Sequence, residues 1–247
     1  MEAVPRQPLT ERAADAILDQ ILEERLAVGD PLPSTGELAS RLDVSVVVVR
    51  EALAALAGRG IISRRQGRES IVARPGPEVL DSIFRVRTRQ DSIGPDEFRQ
   101  CRAALELQAA SLAAGAGAAA AIALQPLVET MRAEPTLEAL TEADRQFHLQ
   151  IAELSGNRAI QLLLASFSSV LRDSIRHNWE NVLDKGGAEL EHAVEIHASI
   201  ADAIAAGERR VAVVAMSRHF TYWGPDFGLG DIAEGADDGL APAAATS

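Results

Sequence analysis

Two serines eleven residues apart, each opening a short amphipathic run and together followed by an arginine-rich segment, constrain this chain more than any other feature. Ser34 stands three residues before Glu37, the spacing of a capping box. Its hydroxyl accepts from the third helical N–H while the carboxylate accepts from the cap's own N–H. A helix is therefore expected to start at Ser34, with Leu38, Ala39 and Leu42 on its apolar side. Asp43 interrupts that run, and Ser45 offers a second N-cap. The helix predicted from about 46 to 56 repeats Val49, Leu53 and Leu56 on one face, leaving Ser45, Val46, Val47 and Arg50 on the other. Four consecutive valines cannot all face a core, so the outward side is a candidate reading surface. After Gly58 and Gly60 the period shifts toward two through residues 61–64. A tip of Arg65, Gln66, Gly67 and Arg68 follows, then Ser70, Ile71 and Val72. Two short helices, a tight turn and a basic hairpin are the layout of a winged helix-turn-helix.

Ahead of this stretch, Thr10 is placed to cap a support helix with Ala14, Ile17, Leu18, Ile21 and Leu22 as its stripe. Behind it, Arg74-Pro75-Gly76-Pro77 blocks helix and sheet continuation alike. A first domain is thus expected over 1–74 and a second over 78–232. The second shows no strand pattern. Helical stretches near 78–89, 95–114, 117–132, 137–154, 157–182, 187–206 and 208–223, separated by Gly, Pro and Ser-Gly-Asn breaks, predict an all-α antiparallel bundle and a mostly α chain. The tail 233–247, rich in Ala, Gly and Asp, reads as disordered.

The net charge of −12 argues against nucleic acid only until it is divided. Residues 1–74 hold 10 Arg and 11 acids, and the remainder holds 14 basic and 25 acidic residues. Between 50 and 74, six arginines face Glu51 and Glu69, a local balance of +4 that suits phosphate neutralisation. Repulsion from the acidic remainder is screened beyond roughly 8–10 Å at moderate salt, so duplex DNA is an admissible partner. Val46 and Val47 suit contact with thymine methyls. One cysteine, Cys101, excludes an internal disulfide and reads as a small core residue. The N-terminus lacks a signal peptide's basic start and apolar core. Residues 103–128 are rich in Ala and Gly, but Glu106, Gln108 and Gln125 interrupt them, so they read as packed helices rather than a membrane span. A cytoplasmic protein without membrane association is expected.

The blocks LPSTGELA, VSVVVVREAL and LAGRGIISRRQGRESIV, in this order over residues 10–74, resemble the GntR family of bacterial transcription regulators. The family's pattern runs roughly LPSERELA, VSRxxVREAL, LxxxGLVxRRQGRGTFV. The resemblance implies operator binding through Ser34, Thr35, Ser45, Val46, Val47, Arg50 and the wing residues Arg65, Gln66, Gly67 and Arg68. The chain departs from the family at two arginines that tend to contact the operator, having Gly36 and Val46 there. A bidentate arginine to guanine discriminates by about 1–3 kcal/mol, so a changed operator or weaker binding is expected.

In the second domain Asp144 and His148 lie at i, i+4 and share a helix face, while His197 and His219 lie on later helices 22 residues apart. An Asp and three imidazoles projecting into one bundle would make a first-row metal site. Taken singly, each histidine also reads as a surface or hydrogen-bonded core residue. The segments ADRQFHLQIAELSGN, IHASIADAI and MSRHF, with the block Arg102-Ala-Ala-Leu-Glu106, resemble the FCD effector domain of the FadR subfamily. That resemblance implies one divalent transition metal per subunit, Zn, Ni, Mn or Fe, on Asp144, His148, His197 and His219. His177 and His192 have no counterpart and read as surface residues. It also implies a small carboxylate effector near the metal, and a homodimeric regulator, more often a repressor. Arg102 is the candidate carboxylate partner, because its planar fork fits such a group, and equally a candidate salt bridge to Glu106. Asn157, Arg172, Asn178 and Trp179 are further effector candidates, Trp179 being as readily core or interface. Two other readings stand beside the regulator: a metalloenzyme acting on small acids, and an effector-binding dimer with a degenerate DNA head. No base or nucleophile announces itself for the enzyme, so no catalytic residue is assigned.

Overall fold

Local capping chemistry sets the second and third helices in the computed structural model, which describes residues 7–64, 69–90, 93–133 and 135–224. The chain divides into two units, 1–79 and 80–247. The first contains α1 (Leu9–Glu23), α2 (Thr35–Leu42), α3 (Val46–Gly58), β1 (Ile62–Ser63) and β2 (Ile71–Val72). Ser34 accepts from Glu37 N at 3.3 Å, and the Glu37 carboxylate accepts from Ser34 N at 2.8 Å, which closes the capping box. Asp43 ends α2 with φ of 51°, a left-handed conformation that Asp tolerates better than most residues. Ser45 then caps α3 by accepting from Val48 N. α1 packs across α3, so Ile17, Leu38, Val49, Leu53 and Leu56 make a closed small core. The hairpin is two residues deep on each side, antiparallel with Ile62 opposite Val72, and Pro31 bridges to Ile71.

Two details of α1 depart from the expected pattern. Thr10 lies inside the helix, which starts at Leu9 after Pro8, and its hydroxyl donates to Glu51 at 3.0 Å, tying α1 to α3. Leu22 is 64% exposed. The contact strip against α3 is narrow and is filled by Ala13, Ala14, Ile17 and Ile21. The expected wing tip, Arg65 to Arg68, and the tail 233–247 lie outside the described residues.

The second unit is all helical among the described residues: α4 (Pro77–Arg89) enters it from the linker, followed by α5 (Pro95–Ala113), α6 (Ala118–Ala133), α7 (Leu137–Leu154), α8 (Arg158–Ser166), α9 (Ser168–Lys185), α10 (Gly187–Ala205) and α11 (Arg209–Trp223). Pro77 takes the first helical position of α4, where a missing N–H costs nothing. The helices pack as a bundle in which α5 contacts α7, α9 and α11, and α10 contacts α6, α9 and α11. Ala103, Ala109, Ala110, Ala113 and Ala120 are buried, so the alanine-rich segment forms close helix contacts. No helix of the described residues is long and apolar enough to cross a membrane.

The stretch 157–182 is two helices, not one. Phe167 breaks it, buried against Phe84 and Phe98 with ring centroids 5.4 and 5.5 Å away. No Gly or Pro marks this break. Cys101 is exposed, against expectation, because the buried stripe of α5 runs through Phe98, Ala103, Glu106, Ala109, Ala110 and Ala113 on the other side.

Candidate functional site

α7 carries Asp144 and His148, α10 carries His197 and α11 carries His219, and all four side chains are buried. One ligand atom from each lies within 4.8 Å of the others. His197 Nδ1 is 2.9 Å from the Ala193 carbonyl one turn back. As donor to that carbonyl it leaves Nε2 facing Asp144 Oδ2 at 3.2 Å. His148 Nε2 lies 3.9 Å from Asp144 Oδ1. His219 presents two buried ring nitrogens that gain no hydrogen bond from the described residues, and the same holds for both nitrogens of His148 and for Asp144 Oδ1.

So many unpaired buried polar atoms in one place would cost about 1–3 kcal/mol each if nothing met them. Ligands on opposite sides of an ion at about 2.1 Å stand about 4.2 Å apart. The cluster therefore fits a first-row divalent cation with sub-ångström adjustment, and an oxygen with three imidazole nitrogens is a donor set such a cation takes.

The electrostatics favour the ligating forms. Burial pushes the Asp144 carboxyl up, but the hydrogen bond with His197 and the nearby His148, His197 and Arg102 overcome this and hold it at about 2. Burial holds the His148 imidazole below the ordinary histidine range, partly offset by Glu106. His219 is pushed well below it, first by burial and then by the neighbouring histidines and arginines. Both rings are thus neutral at pH 7 with lone pairs available. The unfolded chain takes up protons on these rings near pH 6.5, whereas the folded chain does not, so stability is full above that pH and lost as pH falls below it. The Tm of the metal-free protein is expected to fall between pH 7 and pH 5. A Tm flat across that interval would contradict the burial of two neutral imidazoles; Asp144 contributes only further down, between its ordinary 3.8 and about 2.

Beside the cluster lies a cavity of about 30 Å³ whose walls include Arg99, Arg102, Ser174, Asn178, Trp179 and Trp223, with Asp144 and His219 at its inner end. Arg102 makes the salt bridge to Glu106 anticipated for it. Its Nε donates to Glu106 Oε1 at 2.6 Å, and it lines the cavity with Nη2 3.9 Å from Asp144 Oδ1. Trp179 is fully buried and stacks on His197, with ring centroids 5.8 Å apart at 27°. Asn178 is brought to the cavity, but Arg172 and Asn157 are not. Arg172 is exposed and lines a separate hollow of about 100 Å³ with Arg145 and Arg176. Asn157 is the exposed N-cap of α8, accepting from Ala159 N and Ile160 N. Sequence reasoning missed Arg99, Ser174 and Trp223. Arg99 had a legible signal, being three residues before Arg102 and so on the same helix face. His177 and His192 are exposed, as expected.

In the first unit, Ser45, Val46, Val47 and Arg50 line the outer side of α3; Val46 is 40% and Val47 61% exposed. Ser34 and Thr35 stand at the start of α2. Gly36 is exposed, and a Cβ there would meet nothing within 4 Å, so packing does not demand glycine.

Comparison with known proteins agrees with both units. Residues 9–72 match the family of bacterial regulatory proteins, gntR family, and residues 97–222 match the FCD domain. The Glc operon transcriptional activator of Escherichia coli (strain K12) is 33% identical over 183 residues, 69% of this chain and 70% of that protein. The HTH-type transcriptional regulator LutR of Bacillus subtilis (strain 168) is 29% identical over 79% of this chain and 90% of its own length. A solved Streptococcus agalactiae GntR structure aligns with a TM-score of 0.59 at 29% identity, covering 86% of this chain and 98% of that one. These domains and relatives are those of transcription regulators and not of enzymes. With a helix-turn-helix of this pattern followed by a helical FCD domain, the chain belongs to the GntR family of bacterial transcription regulators.

Proposed function

We propose that this regulator is a cytoplasmic homodimeric repressor whose hold on its operator is set by a small carboxylate bound beside a metal ion in the FCD domain. The observation that carries the reading is the buried cluster of Asp144, His148, His197 and His219, with its unpaired ligand atoms, opening on an arginine-lined cavity. The four side chains would hold one divalent transition metal, Zn, Ni, Mn or Fe. When bound, it supplies coordination positions for the oxygens of an organic or sugar acid. The protein supplies the rest: Arg102 pairs with the acid's carboxylate, and Trp179 and Trp223 form part of the cavity wall. Two outward α3 surfaces of a dimer, with their wings, would read a pseudo-palindromic operator. An effector acts only through its different affinity for the bound and released arrangements of the heads.

The test is a gel-shift titration against the DNA upstream of the protein's own gene, with and without added divalent metal and a panel of hydroxy and sugar acids. Release of the shifted band by one acid, abolished by a chelator, is the expected outcome. Release that is indifferent to the chelator would remove the metal from the mechanism. One relative is named an activator, so the same titration is paired with a promoter fusion to read the sign of control. A second reading, a degenerate head, draws on Gly36 and Val46, and absence of any shift at low salt would favour it.

A further inference from the structure

Glu106 lies one turn beyond Arg102 on α5, 1% exposed, and belongs neither to the ligand cluster nor to the wall of the cavity beside it. A carboxylate so deeply buried needs partners on both oxygens. Oε1 accepts from Arg102 Nε at 2.6 Å, and Oε2 lies 2.5 Å from His148 Nδ1, although that approach falls outside good hydrogen-bond geometry. The two nitrogens of an imidazole point to opposite sides of the ring. With Nδ1 turned to Glu106, Nε2 is turned to Asp144, which is where the other ligands converge. The three histidines therefore differ in what stands behind them. His197 is backed by the Ala193 carbonyl of its own helix, His148 by a carboxylate from a different helix, and His219 by no hydrogen-bond partner among the described residues.

We propose that Glu106 is the positioning residue of the metal centre: by taking the Nδ1–H of His148 it keeps the Nε2 lone pair of that ring aimed at the ion. The inference rests on the metal reading given above. Partners of this kind orient a ligating ring and raise its basicity, and their loss typically weakens metal binding 10–100-fold. Arg102 has a part in the arrangement, since it occupies the other oxygen of Glu106 and fixes the plane of the carboxylate. The orientation of His148 is thereby tied to the arginine that lines the cavity.

The experiment uses the full-length protein stripped by a chelator and titrated with Zn²⁺ against a competing chelating dye, comparing wild type, Glu106→Gln, His148→Ala and the double variant. The glutamine amide oxygen can serve Arg102 or His148 but not both, so Glu106→Gln is expected to weaken Zn²⁺ binding by about 10–100-fold. In the His148→Ala background the same change is expected to alter affinity by less than about threefold, because Glu106 acts through that ring. Equal losses in both backgrounds, or no loss in the first, would overturn the proposal. Ring nitrogen shifts of His148 in wild-type apo protein give a reading that needs no variant to fold: the Nδ1–H tautomer is expected, and the Nε2–H tautomer would overturn the assignment. Wild-type protein that takes up no Zn²⁺ would defeat the metal reading itself. Zn²⁺ uptake by wild type with unaltered affinity in Glu106→Gln would defeat only the role of Glu106.

Discussion

Replacing His197 with alanine is expected to strip the FCD domain of its metal and silence its response to effector, while DNA binding stays measurable. His197 is fully buried, its Nε2 faces Asp144 at 3.2 Å, and its ring is within 5.8 Å of those of His148, His219, Phe147 and Trp179. Removing it deletes one of the four proposed ligands and the ring nitrogen that faces Asp144 Oδ2 in one step. Loss of a partner behind a ligand already costs 10–100-fold, so loss of the ligand itself is expected to exceed about 100-fold in metal affinity. The void left by the ring also lowers stability, and His197→Gln, which retains more volume, separates that cost from lost ligation. The chain has two tryptophans, and both adjoin the cluster: Trp179 stacks on His197, and Trp223 lies 6.1 Å from His219. Their fluorescence is therefore expected to follow metal addition in wild type and stay unchanged in the variant. Metal content after dialysis, measured beside a gel shift with effector, decides the matter. A His197→Ala protein that kept a full complement of metal and still answered the acid would end the metal-centred mechanism.

The second large effect is expected at the other end of the chain, where Arg50→Ala should weaken operator binding about 10–100-fold at fixed salt. Arg50 is exposed on the outer side of α3, one turn beyond Val46 and Val47, while the opposite side carries Val49, Leu53 and Leu56 into the core. A guanidinium so placed is available to a guanine edge, and a bidentate contact of that kind is worth about 1–3 kcal/mol. Because Gly36 and Val46 supply no cation, Arg50 carries a larger share of the recognition through α2 and α3. If Arg50 instead meets phosphate, the loss will be similar on all sequences and the salt dependence will become shallower. Unchanged affinity in the titration would place the reading face elsewhere on α3. Stability should hardly move, since the side chain is exposed and away from the Ile17–Leu56 core.

Much of this was legible in the residues because it depends on local chemistry. Ser34 with Glu37, and Ser45 ahead of a valine run, determine where two helices begin, since the cap bonds span only three residues. The 3.6-residue period determines that Val47 is outside and Val49 inside. It also places Asp144 and His148 on one side of α7, and Gly and Pro mark most helix ends in the second unit. What the tertiary structure decided concerns rotation and contact between helices distant in sequence, on which periodicity is silent. Phe167 stands at a break in an otherwise continuous helical stretch, its ring packed with those of Phe84 and Phe98 from two other helices. Cys101 faces outward because the phase of α5 is set by its alanine stripe. Arg172, one turn from the cavity-lining Ile175 on α9, is turned outward by the same helix phase that turns Trp179 inward. Above all, the convergence of Asp144, His148, His197 and His219 to within 4.8 Å, with Glu106 behind His148, depends on how α5, α7, α10 and α11 are rotated against one another. Sequence spacing determined which residues could ligate an ion; only the close packing of those helices determined that they meet.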